Sequence, residues 1–320
     1  MQFHLSDTLL KEGRSAEAEQ FCRKAIAAKT KVFGAGHPWV VSSNAKLGNI
    51  LLAQGKRAEA IDHLNSTWEA VKKFPNANGV QMGDLASTIG NIYMNEGNYA
   101  EAARYFEQSS TAVSLINLGW LYLEGKGVKQ DYKIAHEFTL KAAQRGNGPA
   151  QNNLGTMYED GRGVTKDLPT AIDWFRRSVT NGCILGMWNL AMHYESGEGV
   201  NKDINEAAKL YEKMRTHPST KSDDRACNAV AWFFATCPVA ELRNGTNAVT
   251  MAEHANLLTH RTNDVYLDTL AAAYAEAGNF TNAVSAQRKA MTLLKDEKAK
   301  ADFATRLKLY EANIPYHSTN

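Results

Sequence analysis

The chain has 320 residues, 36 Lys+Arg against 34 Asp+Glu, and a 44% hydrophobic share. That balance supplies no global field for nucleic acid or an anionic membrane, and the longest apolar stretches, such as 229–235, are far too short to span a bilayer. Four cysteines (Cys22, Cys183, Cys227, Cys237) show no Cys-x-x-Cys pairing and no regular spacing, so no disulfide framework is legible and a reducing compartment is favoured.

A chain of this length ordinarily splits into two or three domains, but this one repeats itself, and stacked repeats need contact only their neighbours. The opening MQFHLSDTLLKEGR lacks a basic n-region and an apolar h-region, so no signal peptide is expected and a cytoplasmic setting is favoured. Leu5, Leu9, Gly13 and Ala18 already occupy the middle of a repeat, so the first helix reads as clipped, as in a fragment of a larger protein or a start inside an array.

Gly13, Gly55 and Gly97 stand 42 residues apart. On that register Leu5, Leu47 and Ile89 align, as do Leu9, Leu51 and Tyr93, and then Glu17, Glu59 and Glu101, each followed by alanine (Ala18, Ala60, Ala102). Apolar positions recur at helical spacing on both sides of each glycine, which predicts helix, tight turn, helix. The glycine suits the turn, Gly48 and Gly90 let helices approach, and the glutamates suit a helix N-terminus. Asn98 with Glu101 reads as a capping box. Leu47, Gly48, Leu51, Gly55, Ala60, Leu64, and again Ile89, Gly90, Tyr93, Gly97, Ala102, Phe106, resemble the tetratricopeptide repeat. The period of 42 rather than the common 34 implies roughly one extra turn per helix. FGAGHPWVV (33–41) is similar to the joint of the long, kinesin-light-chain-like variety, with His37 as a turn residue.

From Leu118 the period shortens to 36, with Gly125, Gly161 and Gly197 each followed two residues later by Gly127, Gly163 or Gly199. Asn117, Asn153 and Asn189 align, as do Tyr122, Tyr158 and Tyr194; Val128, Val164 and Val200; Asp131, Asp167 and Asp203; and Ala135, Ala171 and Ala207. Tyrosine to alanine spans 13 residues here against 9 from Tyr93 to Ala102, so the turn is four residues longer. The aspartates stand where N-caps belong, with Pro169 just inside its helix. Leu-Gly-x-x-Tyr-x-x-Gly-x-Gly-Val-x-x-Asp-x-x-x-Ala resembles the Sel-one-like repeat, with one departure, Ala191 for glycine. G-x-G-V lacks the spacing of a phosphate loop and the preceding strand.

Residues 216–225 break the register and read as a polar surface joint. Beyond it two further helix pairs are predicted, the first with a long turn over 237–245 and the second tetratricopeptide-like through Leu270, Tyr274, Gly278 and Ala283. DEKAKADFATRLKLYEA reads as a capping helix. Together the resemblances imply an all-α fold, a right-handed α-solenoid (superhelix) of antiparallel helix pairs. Its expected divisions are 1–110, 111–215, the joint 216–225 and 226–320.

No metal, nucleophile or cofactor signature is legible, and no enzyme activity is expected of the array itself. Trp120, Trp174 and Trp188 follow helical spacing and read as core, and the three aligned tyrosines as packing. The aligned asparagines either offer donors to a groove or satisfy backbone groups between repeats; the second reading fits the Sel-one-like pattern. In tetratricopeptide proteins the first helices line the concave face, which nominates Lys46, Asn49, Ser87, Asn91 and Asn95 as partner-binding residues. A carboxylate clamp would be incomplete, with Ala45 and Ser87 where its first lysine belongs and Thr88 where its arginine belongs. The resemblance therefore implies a non-catalytic scaffold that holds a protein or peptide partner, without nucleic acid or membrane insertion. The alternative is a regulatory or docking region of a larger, possibly signalling, enzyme.

Overall fold

The structure, a computed structural model, describes residues 8–10, 12–73 and 79–318; Leu5 lies outside them. Among these residues every regular element is helical. The opening region holds α1 (Ser15–Phe33), α2 (Pro38–Ala53), α3 (Arg57–Val71), α4 (Gly79–Asn95) and α5 (Tyr99–Phe106). The 36-residue region holds α6 (Ala112–Glu124), α7 (Tyr132–Ala143), α8 (Gly148–Asp160), α9 (Leu168–Thr180), α10 (Ile184–Ser196) and α11 (Ile204–Thr216). The closing region holds α12 (Asp224–Thr236), α13 (Gly245–Leu258), α14 (Asp264–Glu276), α15 (Phe280–Leu293) and α16 (Glu297–Glu311). Short 3₁₀ turns occupy Thr220–Ser222 and Ala240–Leu242. The fold is an all-α solenoid of antiparallel helix pairs. None of these helices is long and apolar enough to cross a membrane.

By packing, the chain divides into two compact units. One runs to Ala150 and includes Asp160–Lys166; the other comprises Gln151–Glu159 and the chain from Asp167 onward. The first unit buries its apolar side chains in successive clusters: Leu9, Cys22, Leu47 and Ile50; then Leu64, Trp68, Leu85 and Ile89; then Ala102, Phe106, Leu118 and Leu121. The second unit holds an extended cluster running from Ala171 through Phe175, Met187, Val230 and Phe234 to Tyr310, and a smaller one of Leu267, Ala290 and Phe303.

Each pair closes at one small contact. The alanine after the turn is fully buried at Ala18, Ala60, Ala102, Ala135, Ala171, Ala207, Ala248 and Ala283. A Cβ on Gly48 would sit 2.5 Å from Leu64, on Gly90 2.5 Å from Phe106, and on Gly155 2.6 Å from Phe175, so the two helices touch at the glycine. Where the third copy departs, Ala191 is itself fully buried.

The two turn types are closed by a hydrogen bond onto the same carbonyl, over different spans. In the tetratricopeptide-like pairs the N–H of Lys56 donates to Leu51 O at 2.9 Å and that of Asn98 to Tyr93 O at 2.9 Å, spans of five residues. In the 36-residue pairs Asp131 donates to Tyr122 O at 3.0 Å, Asp167 to Tyr158 O at 2.9 Å and Asp203 to Tyr194 O at 2.9 Å, spans of nine. The same carbonyl ends both turns, and the four-residue difference is the inserted loop.

The aspartates cap as expected. Asp131 accepts from Lys133 N (2.9 Å) and Ile134 N (3.1 Å), Asp167 from Thr170 N (3.2 Å), and Asp203 from Asn205 N (3.0 Å) and Glu206 N (3.1 Å). The Thr170 hydroxyl and N–H hold the Asp167 carboxyl below its usual range. His37 is likewise a turn residue, its Nδ1 accepting from Trp39 N at the start of α2.

Three expectations are corrected. Asn98 makes no side-chain cap bond, so its box with Glu101 does not form. The extra helical turn is absent from α5, which has 8 residues. Trp174 lies outside the apolar clusters, half-buried with the Arg177 guanidinium 4.5 Å from its ring, whereas Trp120 and Trp188 pack on the core. Within the joint after α11, Thr220 is fully buried and its hydroxyl donates to Met214 O at 2.6 Å.

Candidate partner-binding site

The nominated residues lie on α2 and α4, the first helices of two successive pairs in the first unit. On α4, Ser87, Asn91 and Asn95 follow at four-residue intervals and so share one helix face. Asn49 and Asn95 are exposed and Lys46 is half-buried. Ser87 is buried, and its hydroxyl accepts from Thr111 Oγ1 at 3.2 Å. Asn91 is half-buried, its side-chain oxygen accepting from Asn117 Nδ2 at 2.9 Å. Near Lys46, Lys29 on α1 donates to Ser43 Oγ at 2.9 Å, and burial, with the Lys46 charge adding to it against Cys22, holds the Lys29 amine below its ordinary pKa. Of the clamp positions, Ala45 and Ser87 are both buried.

The aligned asparagines bond in a way the spacing did not reveal. Asn117 reaches Asn91, and Asn189 Nδ2 donates to Asn152 Oδ1 at 2.8 Å. For Asn117 and Asn189 the expected backbone partners are therefore corrected. In both cases an amide on one first helix meets an amide on the preceding first helix.

Other features were not legible beforehand. At the α1–α2 joint Phe33, His37 and Trp39 form an exposed aromatic group, with Phe33 and His37 centroids 4.7 Å apart and Trp39 57% exposed. In the second unit an open cavity of about 650 Å³ is lined by Asn205, Lys209, Glu212, Phe234, Arg243 and Asn247. A smaller one of about 180 Å³ adjoins His193. His193 is buried, its Nδ1 2.8 Å from Glu198 O, so that nitrogen carries the proton, and its Nε2 is 3.5 Å from Glu159.

Among the described residues no group of three His, Cys, Asp or Glu is placed to hold a metal. All four cysteines are buried and none forms a disulfide; burial pushes the Cys227 thiol up to about 11 and raises that of Cys237, which disfavours the nucleophilic thiolate.

Family comparisons agree with this architecture. Residues 1–73 and 87–113 match tetratricopeptide repeat models, and residues 112–147, 148–183 and 184–215 each match the Sel1 repeat. The chain therefore carries both kinds of repeat within residues 1–215. A search of curated proteins finds no match. Among solved structures, a Sel1 repeat protein from Oxalobacter formigenes aligns at TM-score 0.53 and 22% identity, over 67% of this chain and 88% of that one. The protective antigen c5321 of uropathogenic Escherichia coli, displaying an SLR fold, aligns at 0.62 and 20% identity, over 98% of this chain and 65% of that one. The Cut9–Hcn1 tetramer aligns at 0.51 and 14% identity, covering 97% of this chain and 55% of the matched one. These likenesses are of fold. Tetratricopeptide and Sel1 repeats generally serve as non-catalytic protein-interaction scaffolds.

Proposed function

We propose that the chain is an interaction scaffold that holds an extended segment or helix of a partner protein on the first helices of its opening pairs. The observation that carries this reading is the row of polar side chains on adjacent first helices, with Asn49 and Asn95 exposed and Lys46 beside them. Side-chain amides there can bond a partner's backbone, each contributing about 1 kcal/mol net, so affinity accumulates from several weak contacts. The Lys29–Lys46 charge favours an acidic or acceptor-rich segment.

The test is capture from native lysate with the full chain and with a Lys46→Glu, Asn49→Ala, Asn95→Ala variant of unchanged helicity. The native chain is expected to retain a partner that the variant loses. Recovery of the same proteins by both would sink the proposal for this face.

A further inference from the structure

At the carboxyl end of α16 the chain turns back on itself. Asn313 takes a left-handed conformation (φ 59°) and Ile314 N donates to Leu309 O at 2.9 Å, so the helix stops in a Schellman-type turn, and Pro315 prevents its resumption. The next three residues lie across α12 and α14, the first helices of the last two pairs. The Tyr316 ring lies 6.0 Å from the Trp232 ring, with the Arg306 guanidinium 5.4 Å from Tyr316 and 5.8 Å from Trp232. His317 Nε2 is 2.8 Å from Glu276 Oε2. Ser318 N donates to Thr236 O at 2.8 Å, and its hydroxyl to Thr236 Oγ1 at 3.2 Å.

Two observations separate this contact from ordinary core packing. None of residues 314–318 is fully buried, and Ile314 is 50% exposed. Each charged group the segment uses also has a second partner inside the helical scaffold. Arg306 Nε donates to Asp268 Oδ1 at 2.8 Å, and Glu276 accepts from Arg243 Nε at 3.0 Å. Departure of the segment would therefore strand no buried charge. The charged groups of the surface beneath it are each anchored by the helical scaffold itself.

We propose that this surface is a second peptide-binding site, and that residues 315–318 are its resident occupant, in competition with a segment of a partner protein of the same chemistry. That segment is extended, with an aromatic side chain for the Trp232–Arg306 shelf. A cationic or imidazole donor follows for Glu276, and then a backbone N–H for the Thr236 carbonyl. This site goes beyond the amino-terminal face and does not depend on it.

The experiment titrates a labelled peptide with the sequence of residues 313–318 into the native full chain and into the full-length Tyr316→Ala, His317→Ala variant. The variant is expected to bind at least tenfold more tightly, to lose that gain with Glu276→Gln, and to reject a peptide lacking the tyrosine. Adding the Lys46→Glu, Asn49→Ala, Asn95→Ala changes should leave this binding unaltered, which separates the two sites. Should the variant fold poorly, hydrogen exchange on the native chain decides: excess peptide should speed exchange at the Ser318 amide. Equal binding by native and opened chains, indifference to Glu276→Gln, or unaltered exchange would overturn the proposal. Dimers of the native chain that dissociate on adding peptide would name a second copy as the occupant and overturn the partner-protein reading.

Discussion

Gly97 and Gly127 share a left-handed backbone, φ 73° and 71°, yet differ in what stands over them. A Cβ on Gly97 would meet nothing within 4 Å, whereas on Gly127 it would lie 2.3 Å from the backbone of Tyr99 and Ala100. Gly97→Ala is therefore expected to cost roughly 1–2 kcal/mol from conformation alone, and Gly127→Ala well over twice as much; equal costs in urea denaturation would refute the distinction. The same approach recurs where a Cβ on Gly163 would lie 2.1 Å from Tyr132 O and one on Gly199 2.9 Å from Leu168 Cβ. In the closing pairs it persists with the small residue on the other side: Gly245 begins α13, and its Cβ would lie 2.6 Å from Ala277 N in the following turn. The spacing of the glycines was legible as turns; this second duty was not, because the neighbour lies 27 to 32 residues away without a matching motif. Charge acts at this scale too. Hydrogen bonds from Lys56 and Arg23 pull the Glu19 carboxyl from 4.5 down to about 2. A depressed carboxyl stabilises the fold above its ordinary pKa and loses that contribution as pH falls from about 4.5 towards 2. Glu19→Gln should thus cost at most ~1 kcal/mol at pH 7, as befits surface pairs, and the gap to the native chain should close near pH 2 in thermal melts.

At the scale of the helix, the inserted loop changes how the second helix begins. Asp131, Asp167 and Asp203 hold extended backbones (φ near −150°) and aim a carboxylate at the first free N–H groups. Replacing any one with alanine should cost about 1 kcal/mol, whereas Asn98→Ala should be nearly silent; comparable losses in urea midpoints would contradict the assignment. The aspartates were legible because side-chain type and position agree three times over. The Asn98 box failed for a reason no sequence carries. Asn279 at similar angles (φ −93°, ψ 71°) does cap Asn282 N at 3.2 Å, so the backbone permits the bond and the rotamer decides it.

Across the whole chain the repeat architecture was legible and its closing network was not. Asp268 and Arg306 lie 38 residues apart on α14 and α16, outside any periodic column, yet Asp268 is 4% exposed and also accepts from Gln287 Nε2 at 2.7 Å. Burial raises the Asp268 carboxyl against the opposing pull of Arg306. Arg306→Ala should leave that carboxylate buried without its cation, at a cost of ~3 kcal/mol at neutral pH. Because a raised carboxyl is most stable protonated, the loss should shrink as pH falls, and hydrogen exchange should localise it to α14–α16, as nearest-neighbour packing requires. A loss independent of pH would remove Asp268 from the account. The close contacts of Gly127, Gly163, Gly199 and Ala277 share one further property: each turn rests on a helix start that precedes it in the chain. During synthesis, which proceeds from the amino end and lets early segments fold first, every such turn leaves the ribosome after its seat has been made. The array can therefore be completed turn by turn in the order of translation, each new loop docking on finished structure rather than waiting for a later segment.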